Sequence, residues 1–141
     1  MPTPLCSDVA ASSAPPRPKI LVVDDSVGVR SLAERALTGA GYEVILAGDG
    51  DEALAQFAAH PNIVCMFCDV HMPNLDGMAV LERMAPRSTH VKCVMVTTEA
   101  SPEIIARGRT LGASGWVVKP FTAAGLVALA DRLVAAAAKG R

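Results

Sequence analysis

The run Ile63-Val64-Cys65-Met66-Phe67-Cys68-Asp69 decides the fold. An unbroken apolar stretch this short, set between Pro61-Asn62 and the Val70-His71-Met72-Pro73 turn, reads as a strand covered on both faces, here residues 63–68. A carboxylate directly after such a strand is costly to bury without a partner. Asp69 therefore marks a site as well as a strand end.

Similar short runs recur on either side. Ile20-Leu21-Val22-Val23, Glu43-Val44-Ile45-Leu46, residues 91–96 and Trp116-Val117-Val118 read as strands. Helical spacing separates them. Val29, Leu32, Ala33, Ala36 and Leu37 form the face of a first helix that Gly39 to Gly41 ends. Residues 51–59 predict a second, stopped by His60-Pro61. Residues 78–84 predict a third, opened by Asp76-Gly77 and closed before Pro86. The fourth starts at Ser101-Pro102, a capping serine with proline in the first turn. The fifth runs from Thr122, an N-cap candidate, through Leu126, Leu129 and Leu133 toward Lys139-Gly140. Five strand–helix alternations with right-handed crossovers predict a doubly wound (βα)5, flavodoxin-like α/β fold. Its five-stranded parallel sheet is expected in the common order 2-1-3-4-5.

Composition agrees. At 141 residues the chain suits one domain. Fourteen acids against 13 bases leave a net charge of −1, so no basic surplus points to nucleic acid. No apolar run approaches the ~18 residues of a membrane span, and no signal peptide is evident. Residues 1–17, rich in Pro, Ser, Thr and Ala, read as a flexible lead-in, 18–139 as the domain, and 140–141 as a terminal end. Cys6, Cys65, Cys68 and Cys93 follow no disulfide framework, which suggests a reduced, cytoplasmic setting. Cys65 and Cys68 form a C-x-x-C, the spacing of a redox or zinc pair. On a strand, residues three apart point to opposite faces, so these sulfurs are expected to diverge into the core.

Polar residues gather where strands end. Asp24-Asp25 follow the first strand, Asp69 the third, while Thr97 and Lys119 end the fourth and fifth. Ligands of open α/β sheets bind beyond the carboxyl ends of strands at the switch point, and the expected order brings all five residues there. Three carboxylates and one ammonium leave a confined negative charge that a divalent cation with oxygen ligands would neutralise, Mg²⁺ best of all. A carboxylate in such a site can act as nucleophile toward phosphorus. Thr97 and Lys119 could then hold phosphoryl oxygens.

These residues resemble the receiver domains of bacterial response regulators, with CheY-like members nearest. The resemblance runs from Lys19 to about Lys139. It is carried by Asp24-Asp25, by Asp69 in CDVHMPNLDG, by Thr97 in VTTEA and by Lys119 in ASGWVVKPF. It implies Asp69 as phosphoacceptor and Mg²⁺ on Asp24, Asp25, Asp69 and the backbone carbonyl of His71. Thr97 and Lys119 would be the phosphoryl-binding pair, Thr97 and Trp116 the switch, and His71 and Glu99 the residues that tune dephosphorylation. A cis Lys119-Pro120 bond is implied as well. So are a histidine kinase as phosphodonor and an effector protein as target, the flagellar motor switch protein or another. The target would meet the face of the fourth helix, fifth strand and fifth helix, with Glu103, Ile104, Arg107, Trp116 and Thr122 as candidates. The chain would then be a monomeric signalling protein and not an enzyme, its length leaving no room for an output domain. Chemotaxis-type control of motility is the expected role, with a phosphorelay shuttle or phosphate sink as alternatives.

Other readings stand beside these. Asp24-Asp25 could simply open the first helix, and Trp116 could be a large ring packed at a sheet edge. His71 could be an exposed loop residue whose imidazole does nothing, and His60 and His90 solvated ones. A haloacid-dehalogenase-like phosphohydrolase also combines an Asp nucleophile with Thr, Lys and an acidic pair. Its nucleophile follows the first strand, however, with another Asp two residues on, whereas here His71 stands two residues after Asp69.

Overall fold

The apolar run that precedes Asp69 does become the middle of a sheet. In the computed structural model, which describes residues 17–84 and 91–139, β3 (Ile63–Asp69) is buried at every position. The lead-in with Cys6, Pro86, His90 and the terminal Gly140-Arg141 lie outside the described residues. Around β3 the chain forms β1 (Lys19–Val23), α1 (Val27–Gly39), β2 (Glu43–Ala47), α2 (Gly50–Ala59), α3 (Gly77–Met84), β4 (Lys92–Thr97), α4 (Pro102–Thr110), β5 (Ala113–Val118) and α5 (Ala123–Lys139). The strands are parallel in the order β2-β1-β3-β4-β5. This is the expected doubly wound (βα)5 fold.

Alternation of side chains along the strands splits the core in two. Leu21, Val23, Met66, Cys68, Cys93 and Met95 face α2, α3 and α4, where Ala53, Met78, Leu81 and Met84 meet them. Ile20, Val22, Cys65, Phe67, Val94 and Val96 face α1 and α5, against Ala33, Leu37, Leu126 and Ala130. Cys65 and Cys68 thus lie on opposite faces and the C-x-x-C cannot close. Burial pushes the Cys65 and Cys93 thiols up to about 12.

The caps follow the sequence closely. Ser26 caps α1 through Val29 N–H at 3.3 Å, and Ser101 caps α4 through Ile104 N–H at 3.3 Å. Thr122 Oγ1 accepts from Gly125 N–H at 3.0 Å. Since Ser26 is the cap, Asp24 and Asp25 stand ahead of the helix rather than opening it.

Some boundaries moved. β3 takes in Asp69, and β4 is shifted by one residue to end on Thr97. β5 starts at Ala113 rather than Trp116, because Cys93 and Val94 offer the backbone of Ala113 and Gly115 a parallel partner. Small side chains there carry little strand signal of their own.

Candidate functional site

Pairing that continues past the ends of the strands holds the predicted residues at one end of the sheet. Val70 N–H donates to Val96 O at 2.9 Å, so the backbone at Asp69 is fixed against β4. Lys119 N–H donates to Thr97 O at 2.8 Å and fixes the lysine in the same way against β4. Asp24 N–H donates to Ala47 O at 3.1 Å beside β2. The Lys119-Pro120 bond is cis, as expected.

Asp24 is only 2% exposed and Asp69 5%, while Asp25 is exposed. One carboxylate oxygen from each of the three lies within 4.8 Å of the others. Asp24 Oδ1 accepts from Ser26 N–H at 2.9 Å, and Asp69 Oδ1 from His71 N–H at 3.2 Å. Lys119 Nζ bridges the acids, 2.8 Å from Asp24 Oδ2 and 3.2 Å from Asp69 Oδ2. Burial raises the Asp69 carboxyl above its ordinary value, and the neighbouring Asp24 charge raises it further, against the opposing pull of Lys119. Burial by itself would lower the Lys119 ammonium, but its bonds to Asp24 and Asp69 more than offset this and hold it raised. Two buried acids and one exposed acid, all with oxygen donors, fit a hard divalent cation that keeps part of its water shell.

Thr97 is fully buried at the end of β4. Its hydroxyl donates to Glu99 O at 2.9 Å and accepts from Glu99 N–H at 3.1 Å, so it is engaged with its own loop. The His71 side chain is exposed, and His71 meets Asp69 through its backbone. On the other candidate surface Glu103, Arg107 and Thr122 are exposed, whereas Ile104 and Trp116 pack partly against the sheet core.

Two contributors escaped the sequence reading. Arg30 Nη1 donates to the carbonyl of Asp24 and ties α1 to the acidic loop. Its one available signal was a basic residue in the first turns of the helix that follows the acidic pair. Gly77 opens α3 so close to β3 that a Cβ there would stand 2.2 Å from Asp69 O. The Asp76-Gly77 turn was legible, but this approach was not.

Residues 20–131 match the family described as "Response regulator receiver domain". This chain belongs to that family, and the hydrolase reading falls with that result. Among curated proteins, "Probable transcriptional regulator ycf27" of Cyanophora paradoxa is 43% identical over 105 residues, covering 74% of this chain and 43% of that protein. The chain thus spans less than half the length of such relatives. "Protein PilG" of Pseudomonas aeruginosa is 38% identical over 109 residues, covering 74% of this chain and 78% of that protein. Among solved structures, chemotaxis protein CheY4 of Vibrio cholerae superimposes with a TM-score of 0.79 at 38% identity, over 84% of this chain and 99% of that one. A CheY-like receiver from Methanospirillum hungatei gives 0.84 at 25% identity, over 89% and 100%. Receiver domains are signalling proteins of two-component systems. Among the described residues, no helix is long and apolar enough to cross a membrane.

Proposed function

We propose that this domain accepts a phosphoryl group from a histidine kinase on Asp69 and thereby switches a protein-binding surface. The observation that carries the reading is the buried Asp69 carboxylate, held with Asp24 and Asp25 at the strand ends and bridged to Asp24 by Lys119. Asp24, Asp25 and Asp69, with the His71 carbonyl, would hold Mg²⁺, which when bound offsets the negative charge of the entering group. An Asp69 oxygen attacks the phosphorus of a phosphohistidine. The new P–O bond forms as the P–N bond breaks, and the departing ring nitrogen takes a proton from water. Lys119 is placed to stay with a phosphoryl oxygen. Thr97 reaches one by giving up the Glu99 carbonyl. His71, two residues after Asp69, and Glu99, two residues after Thr97, would set how readily water reaches the acyl phosphate.

Phosphorylation then changes the α4, β5 and α5 face through Thr97 and Trp116, with Glu103, Ile104, Arg107 and Thr122 around them. The effector is a protein and not nucleic acid or membrane, and the domain works as a monomer in the cytoplasm. Chemotaxis-type control of motility is the output we favour, supported by likeness to a chemotaxis protein over nearly that protein's whole length. Mg²⁺ with beryllofluoride, a phosphoryl mimic, tests the reading. It should change the emission of Trp116, the lone tryptophan, and Asp69→Asn should remove the response. Absence of mimic binding to the unaltered protein would overturn it.

A further inference from the structure

Glycine inside a helix is less favourable than alanine, yet Gly108 sits within α4 and is the helix's one buried residue. What covers it is the Trp116 indole. A Cβ at position 108 would lie 2.4 Å from Trp116 Cζ2 and 3.0 Å from Cη2, closer than carbon atoms approach. Trp116 stands opposite Met95 in the β4–β5 register, and Thr97 opposite Val118. Residues two apart share a strand face, so Trp116, Met95 and Thr97 all look toward α4. Among the described residues, Ile104 on α4 and Leu111 at its C-cap are the partly buried hydrophobics that join Gly108 against the core.

We infer that Gly108 is a positioning residue of the switch: its missing side chain forms the socket that seats the Trp116 indole against α4. Indole and helix must then move together, because neither can shift without opening the contact that buries Gly108. Glu103 and Arg107 on the outer side of α4 follow the ring. The inference rests on the phosphorylation reading above, since it makes the socket part of the path from Thr97 to the α4 surface.

The test places Gly108→Ala in the Trp116 protein and in a Trp116→Phe background. A phenyl ring is shorter than indole and can vacate the positions of Cζ2 and Cη2. Affinity for Mg²⁺ with beryllofluoride is read by fluorine NMR, which needs no tryptophan. With Trp116 present, Gly108→Ala should red-shift the emission, increase quenching by acrylamide and weaken mimic binding by about fivefold. In the Phe background the same change should alter affinity less than about twofold. Unchanged emission and affinity would overturn the inference, as would an equal loss in both backgrounds, which would mean that the glycine acts through the helix alone. Should Gly108→Ala fail to fold, a folded Gly108→Ala/Trp116→Phe protein would place the clash at the indole, and an unfolded one would refute it. Failure of the unaltered protein to bind the mimic would instead remove the phosphorylation reading itself.

Discussion

Lys119 lies nearer to Asp24 than to the carboxylate proposed as acceptor: its Nζ is 2.8 Å from Asp24 Oδ2 and 3.2 Å from Asp69 Oδ2. The ammonium therefore sits between two of the three acids and competes for the charge a cation would use. Lys119→Met should tighten Mg²⁺ binding by about tenfold, or about 1.4 kcal/mol, while sharply weakening beryllofluoride capture. Calorimetric titrations with the metal alone, and with metal and mimic, check both halves. Looser Mg²⁺ binding in the variant would show that the lysine organises the acids rather than competing for them.

Burial and the neighbouring Asp24 charge raise the Asp69 carboxyl, against the opposing pull of Lys119. A raised folded-state value makes the group stabilising only while protonated, and that contribution is lost as the pH climbs through its folded value. Asp69→Asn should thus stabilise the metal-free protein at pH 7, by roughly 1 kcal/mol given that Lys119 keeps Asp24 as partner. The gain should shrink in acid, where Asp69 takes up a proton. Urea unfolding at the two pH values measures it, and a loss of stability at pH 7 would contradict the argument.

Tyr42 Oη donates to Asp131 Oδ1, linking the start of β2 to α5. Burial, followed by this bond and the Asp131 charge, pushes the phenol up to about 12. Its ordinary value is near 10, so the folded protein holds the proton more tightly and stability falls as pH rises from about 10 to about 12. Tyr42→Phe should cost about 1–2 kcal/mol at pH 7 and flatten that alkaline decline. Denaturant midpoints across the range test both effects.

Gly77 brings the start of α3 against the carbonyl of Asp69, with Gly77 N–H donating to Val70 O at 2.9 Å. An added methyl there meets backbone, which cannot swing away. Gly77→Ala should destabilise by about 1–3 kcal/mol and weaken mimic binding by displacing the acceptor strand end. Thermal unfolding and fluorine NMR report the two, and an unperturbed affinity would separate α3 from the site.

The sequence alone determined the alternation and the cleft. Apolar strands of period two and helices of period 3.6 are local properties, and a doubly wound sheet with right-handed crossovers follows from their alternation, its strand order expected as the common one. Asp24, Asp69, Thr97 and Lys119 could be placed together because each sits at a strand end, where topology fixes position. Only the tertiary structure decided which partners these groups take. Lys119 choosing Asp24, Thr97 turning to Glu99, Arg30 reaching the Asp24 carbonyl and Trp116 resting on Gly108 all involve contacts between elements far apart in the chain or loops without a period. The start of β5 belongs with them: Ala113 and Gly115 become strand because β4 offers a partner, a cause that lies outside their own stretch of sequence.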